Sequence, residues 1–240
     1  MKKIAALTLL VSSLLMAEEA KNPLKTHAEF GFIDTKGNTD TQSYNLEVDL
    51  KKSLEKHSVE FKFDGQYAEN EDEEIKNKYA TTLEYNYNFM KTLAFTLLAG
   101  YKDDKFSGFD YQTYVGPGLK WNAYVAKTQT LDLEAAVLYS YDKYDTIQNG
   151  EDDNDYASGR AKLAYMLQMS ENLKFTQDIS YRVDLEDGKN YFVYSKTAFV
   201  SKFSDVFSGG ISYKVDYANR PPIGKEYTDR TLTANLIADF

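Results

Sequence analysis

From Leu232 to Phe240 the apolar residues Leu232, Ala234, Leu236, Ala238 and Phe240 alternate with Thr233, Asn235, Ile237 and Asp239. A period of two predicts a strand with one apolar face and one mostly polar face. The same period recurs along the chain and predicts eleven further strands. They run over 24–35, 41–51, 57–68, 78–89, 92–102, 111–122, 128–142, 156–169, 173–184, 190–203 and 206–217, with the last over 228–240. The third is typical: Val59, Phe61, Phe63 and Tyr67 face one way, Glu60, Lys62, Asp64 and Gln66 the other. In the tenth both faces carry apolar side chains. Its orientation is set by Lys196, because a lysine on a lipid face at mid-membrane costs about 2–4 kcal/mol. Lys196 is therefore expected to point inward, with Val193, Thr197 and Phe199 outward.

The connections are expected to alternate in length. Short turns are predicted at 53–55, 90–91, near Val125, at 170–172 and at 204–205; longer, mostly acidic loops at 69–77, 103–110, 143–155, 185–189 and 218–227. An even number of alternating strands with this asymmetry predicts an all-β fold: a single antiparallel transmembrane barrel of about twelve strands, both termini periplasmic. A lipocalin-like or sandwich protein with an apolar interior would alternate equally well. The terminal Phe240 and the loop asymmetry weigh against it, the last strand looking like the C-terminal signal read by the barrel assembly machinery.

The amino terminus adds an address. Lys2 and Lys3 precede an apolar run from Ile4 to Ala17, which reads as an export signal over 1–17. A short periplasmic segment is then expected over 18–23 and the barrel over 24–240, with no plug or passenger domain. With no Cys in the chain, lipoprotein anchoring, disulfides and thiolate metal sites are excluded. Tyr 20 and Phe 14 against Trp 1 is heavy aromatic usage, as strands and interface girdles require. Of the 28 basic residues two lie in the leader, so the mature chain carries 26 against 37 acidic residues, a net charge of −11. Such a surface excludes nucleic acid as a partner. Outer-membrane lipid and lipopolysaccharide are the expected surroundings.

Three stretches carry a family likeness: Gly37-Asn38-Thr39, Tyr114-Val115-Gly116-Pro117-Gly118, and Pro221-Pro222-Ile223-Gly224-Lys225 followed by Asp229. In their order and spacing the chain resembles the YdiY-like salt-induced outer-membrane protein family, a domain of unknown function. The resemblance implies export to the outer membrane and a role in envelope stress. It supplies no catalytic or binding residues. Turn and close-approach geometry is the simplest role for these Gly and Pro residues.

Candidate chemistry is sparse. His27 and His57, the only two histidines, fall near the periplasmic strand ends, where neither a Ser–His nor an Asp–His outer-leaflet hydrolase site assembles easily. No enzyme and no cofactor are expected. The acidic stretch 145–156 has the composition of a calcium loop, but Ile147 and Tyr156 stand where oxygen ligands are needed, so it and Glu69 to Glu74 are read as solvated loops, with no metal. The inward face mixes signs. Glu47, Asp64, Glu84, Arg160, Lys162, Arg182, Lys196 and Lys214 are the candidate lumen-facing charges, with Asp49, Glu60, Lys62, Glu134, Lys174, Asp178, Asp184 and Asp216 beside them. Opposite charges paired across the lumen would plug it; left apart, they would line a narrow channel. Two functions stay open: a narrow passive channel for small solutes tied to osmotic or salt stress, and a non-conducting structural or surface-interaction barrel supporting the envelope.

Overall fold

A computed structural model describes residues 23–35, 41–148 and 150–240. The export signal read at 1–17, residues 18–22 of the segment after it, and Gly37-Asn38-Thr39 lie outside the described residues. Twelve antiparallel strands close into one barrel: β1 (Lys25–Thr35), β2 (Thr41–Leu54), β3 (His57–Asn70), β4 (Glu73–Asn88), β5 (Leu93–Asp104), β6 (Phe109–Val125), β7 (Gln129–Gln148), β8 (Glu151–Gln168), β9 (Leu173–Asp184), β10 (Tyr191–Lys202), β11 (Phe207–Ala218) and β12 (Thr228–Asp239). Each strand pairs with its sequence neighbour, and β1 pairs with β12 through Ala28↔Ala238 and Phe30↔Leu236. Closure leaves no unpaired edge.

The alternation resolves into an inside-out arrangement. Asp142 and Lys214 are 1% and 2% exposed, whereas Leu232 and Val137 are 65% and 59% exposed. An apolar exterior around a charged interior overturns the lipocalin-like alternative. The outer face carries two aromatic belts. Near the loop end, ring contacts link Tyr79, Tyr101, Tyr111 and Tyr141 on one side and Tyr181, Tyr191 and Tyr217 on another. Near the end that holds the termini, His57 packs on Tyr85 and Tyr87, and Phe175 links Tyr165 to Phe199. On β7, Leu131 sits at the lower belt, paired with Tyr124 and Tyr165, and Tyr141 sits in the upper one. The ten positions between them rise ~33 Å along the strand, or ~25 Å along the barrel axis at a ~40° tilt, which matches the apolar band of a transmembrane barrel. Hydroxyls of the upper belt donate outward, Tyr79 to Asp103, Tyr139 to Asp155 and Tyr141 to Asp153. Their polar ends thus lie beyond the apolar band.

The acidic loops differ from expectation. Residues 69–77 are not a loop: β3 runs to Asn70 and β4 starts at Glu73, joined by Glu71 and Asp72, both at positive φ. Residues 143–155 likewise form strand up to a tight turn containing Gly150 at φ 94°. Tyr156, where the sequence predicts the eighth strand to begin, lies five residues into β8 and points inward, 4% exposed, donating to Asp142 at 2.7 Å. The asymmetry between the two ends lies in projecting hairpins as much as in loop length. Only 185–190 and 219–227 remain as extended connections among the described residues.

Candidate functional site

The lumen gathers the charges that strand alternation turns inward. On the wall formed by β10 to β3, Lys196 reaches Glu29 at 3.0 Å and Glu47 at 2.7 Å, and Lys214 reaches Glu47 at 2.5 Å and also pairs with Asp64. These partners come from strands up to four places apart around the ring, so the ion pairs reach across the interior. Nearer the loop end, Asp216 on β11 takes Lys78 at 2.5 Å and Lys102 at 3.5 Å. Lys102 belongs to β5, diametrically opposite β11. Towards the termini, Glu84 accepts from Lys120 at 2.6 Å and from Asn86 at 2.8 Å.

The other wall differs. Arg160 lies 3.1 Å from Glu134, and its Nε donates to Ser180 at 3.2 Å. Arg182 lies 3.7 Å from Asp142. Lys162 has its carboxylate neighbour Asp178 at 3.8 Å, beyond hydrogen-bond length. The eight candidate charges therefore fall into two groups: Glu47, Asp64, Lys196 and Lys214 in one tight network, and Arg160, Lys162 and Arg182 more loosely held, with Glu84 paired separately. His27 lies between Glu29 at 3.0 Å and Asp239 at 2.6 Å.

Between the walls lies a cavity of about 320 Å³, continued towards the termini by a second of about 130 Å³. Glu60, Lys62, Glu84, Lys162 and Asp178 line both, so they form the narrowing between them. At ~30 Å³ per water, both spaces are large enough for water and small ions.

Sequence reasoning missed three features. Glu29, 7% exposed, joins Lys196, Asn235 and His27; its place between Ala28 and Phe30 could have marked it as inward. An apolar patch of Leu98, Ala136, Leu138 and Tyr114 covers part of the inner wall. Tyr114 can lie there because Gly100 leaves its space free; a Cβ at Gly100 would collide with the tyrosine ring. Gly100→Val is expected to lower barrel stability by about 1–3 kcal/mol through overpacking, read as a lower urea midpoint with Trp121, the only tryptophan, as the fluorescent probe.

The third feature covers the mouth. The connection 219–227 springs from β11 and β12, yet Pro222 packs against Gly108 in the turn between β5 and β6, on the opposite side of the ring. Gln148 accepts from the amide of Ile223 at 2.9 Å, Arg220 pairs with Asp187, and Asn219 donates to the Lys189 carbonyl at 2.9 Å. Phe109 and Phe192 meet beneath, at a centroid distance of 6.2 Å. Hairpins from three sides thus hold this segment across the loop-end mouth.

A family described as a protein of unknown function, DUF481, matches residues 28–240. The uncharacterized protein YdiY of Escherichia coli (strain K12) is 24% identical over 220 residues, covering 90% of this chain and 83% of that protein. Among solved structures, the NanC porin superposes with a TM-score of 0.51 at 12% identity, covering 90% of this chain and 98% of that one. The translocator domain of the autotransporter NalP from Neisseria meningitidis matches at a TM-score of 0.48 and 11% identity, covering 100% of this chain and 96% of that one. At 12% identity the likeness to NanC speaks for the barrel architecture alone.

Proposed function

The chain belongs to the DUF481 family of proteins of unknown function, and we propose that it is an integral outer-membrane barrel whose lumen is a narrow passage for small solutes. The observation that carries this reading is the pair of adjoining cavities, about 320 and 130 Å³, strung along the lumen and sharing Glu60, Lys62, Glu84, Lys162 and Asp178. A core packed to exclude solvent would leave neither. The apolar band between aromatic belts supports a lipid setting, the outer membrane of a Gram-negative bacterium. In this reading the termini face the periplasm and the projecting hairpins face outward among lipopolysaccharide. The barrel assembly machinery inserts the chain through its last strand, and passage responds to osmotic or salt stress. The reading is not enzymatic: His27 is held by two carboxylates and His57 by the Tyr85 hydroxyl at 2.7 Å, which gives neither a serine or threonine nucleophile.

A second reading, a closed structural barrel, draws on the ion pairs that reach across the interior and on the covered mouth. Single-channel recording in planar bilayers separates the two. The protein purified from outer membranes is expected to give small steps whose amplitude rises with salt concentration. A correctly inserted, heat-modifiable barrel that stays silent from low to molar salt would replace the passage with the structural reading.

A further inference from the structure

We infer that the lumen holds a binding site for the carboxylate of a small organic acid, built on Arg160, Arg182 and Tyr114; this deepens the channel reading and rests on it. Arg160 and Arg182 are direct cross-strand partners in the β8–β9 ladder. Like charges directly opposed on one face of a sheet repel. The barrel contains a second such pair, Lys196↔Lys214 in the β10–β11 ladder, and shows how it can be neutralised. Glu47 bridges both ammonium groups there, with Glu29 and Asp64 completing the set.

No carboxylate among the described residues bridges the arginine pair. Glu134 lies beside Arg160, but Arg160 Nη1 and Glu134 Oε1 are both buried without an aligned hydrogen bond. Asp142 lies 3.7 Å from Arg182, and its two oxygens already accept from Gln112 at 2.9 Å and Tyr156 at 2.7 Å. What the two guanidinium groups share is the ring of Tyr114, with its centroid 5.7 Å from Arg160 and 5.6 Å from Arg182. A π-face attracts cations and uses none of their in-plane donors; Arg160 Nε spends one on Ser180 and Arg182 Nη1 one on Ser140, each at 3.2 Å, and a guanidinium carries five. Lys162, one inward position along β8 from Arg160, adds an ammonium whose carboxylate neighbour, Asp178, stands at 3.8 Å, beyond hydrogen-bond length. All four side chains line the 320 Å³ cavity, and Phe192, 4.7 Å from Arg182, lines it too.

The missing partner is therefore an anion, and the site describes it. Guanidinium forks match planar carboxylates through two parallel hydrogen bonds. The Tyr114 and Phe192 rings offer apolar surface to a carbon skeleton. A volume near 300 Å³ is at the small end of ligand pockets, which limits the guest to about one six-membered ring. The probe is sodium glucuronate, with glucose as its uncharged counterpart and inorganic phosphate as a tetrahedral anion.

In planar bilayers, millimolar glucuronate is expected to interrupt the wild-type current and glucose to leave it steady. Arg182→Gln should weaken the block at least about tenfold while the protein remains heat-modifiable. Tyr114→Leu should weaken it as well, and Tyr114→Phe should preserve it. Isothermal titration calorimetry on the detergent-folded barrel reads the site independently of conduction. A silent barrel that binds glucuronate, and loses binding in Arg182→Gln, would overturn the channel reading and keep the site. Steady current with neither block nor heat of binding would overturn the site and keep the channel. Phosphate acting as strongly as glucuronate would overturn the carboxylate assignment.

Discussion

Replacing residues 219–226 by a two-residue Asn-Gly turn is expected to convert a mostly closed channel into a mostly open one. The segment lies across the loop-end mouth, and its contacts there can be weighed. The bond from the Ile223 amide to Gln148 contributes about 1 kcal/mol. Burial of Pro222 on Gly108 adds a comparable amount, about 1 kcal/mol. The exposed Arg220–Asp187 pair adds little. A total near 2 kcal/mol corresponds to a shift of about 30-fold in an open–closed equilibrium. The narrowing deeper in the lumen does not mask this change. It is built from Lys62, Lys162, Glu60, Glu84 and Asp178 side chains, which are the same in both proteins, so any difference in open probability between them traces to the segment. Asn-Gly suits a two-residue hairpin between β11 and β12, so the barrel should close normally. Single-channel records of both proteins give the open probability directly. Equal open probabilities would mean that the segment covers the mouth without governing passage.

This segment also marks where the sequence was legible and where it was not. Twelve strands, their faces and the inward aim of Lys196 follow from alternation, because a period of two fixes the face of every side chain once one charge is placed. β9 was readable to both ends, Leu173 to Asp184. The hairpin tips were not. Glu71-Asp72 holds two positive φ angles with residues that seldom adopt them, so a string of acids read as a loop although the backbone stays in strand. At 149–150 the Asn-Gly dipeptide was a turn signal, outweighed by the acids around it. Ending β7 and β4 too early at their loop ends also hid contacts. Gln148, which holds the mouth segment, was assigned to a loop, and Lys78, which pairs with Asp216, stood at the edge of its strand. The motif residues Tyr114 and Pro222 were visible as a likeness but not as contacts. Alternation says which way a side chain points, not how far across a lumen it reaches.

Lys214→Met is expected to destabilise the barrel by about 2 kcal/mol, less than the cost of breaking a fully buried pair, because the carboxylate left without its cation, Asp64, is half-buried. Lys214 is 2% exposed and pairs with both Glu47 and Asp64. After its removal Glu47 keeps Lys196 at 2.7 Å. Asp64 keeps only Gln66 at 3.2 Å among its hydrogen bonds to described side chains, so most of the loss should trace to Asp64. The double variant Lys214→Met/Asp64→Asn tests that assignment, since it removes the stranded charge together with its partner. It should recover all but about 1 kcal/mol. Urea unfolding of the detergent-folded protein, followed at Trp121, measures both variants. Trp121 faces outward, 49% exposed, and so reports on loss of the lipid-facing surface without sitting in the network being altered. Two losses of equal size would show that Lys214 acts by packing, and that the lumen is wet enough for Asp64 to tolerate being alone. That outcome would itself favour a conducting lumen, because only water reaching Asp64 could replace the lysine.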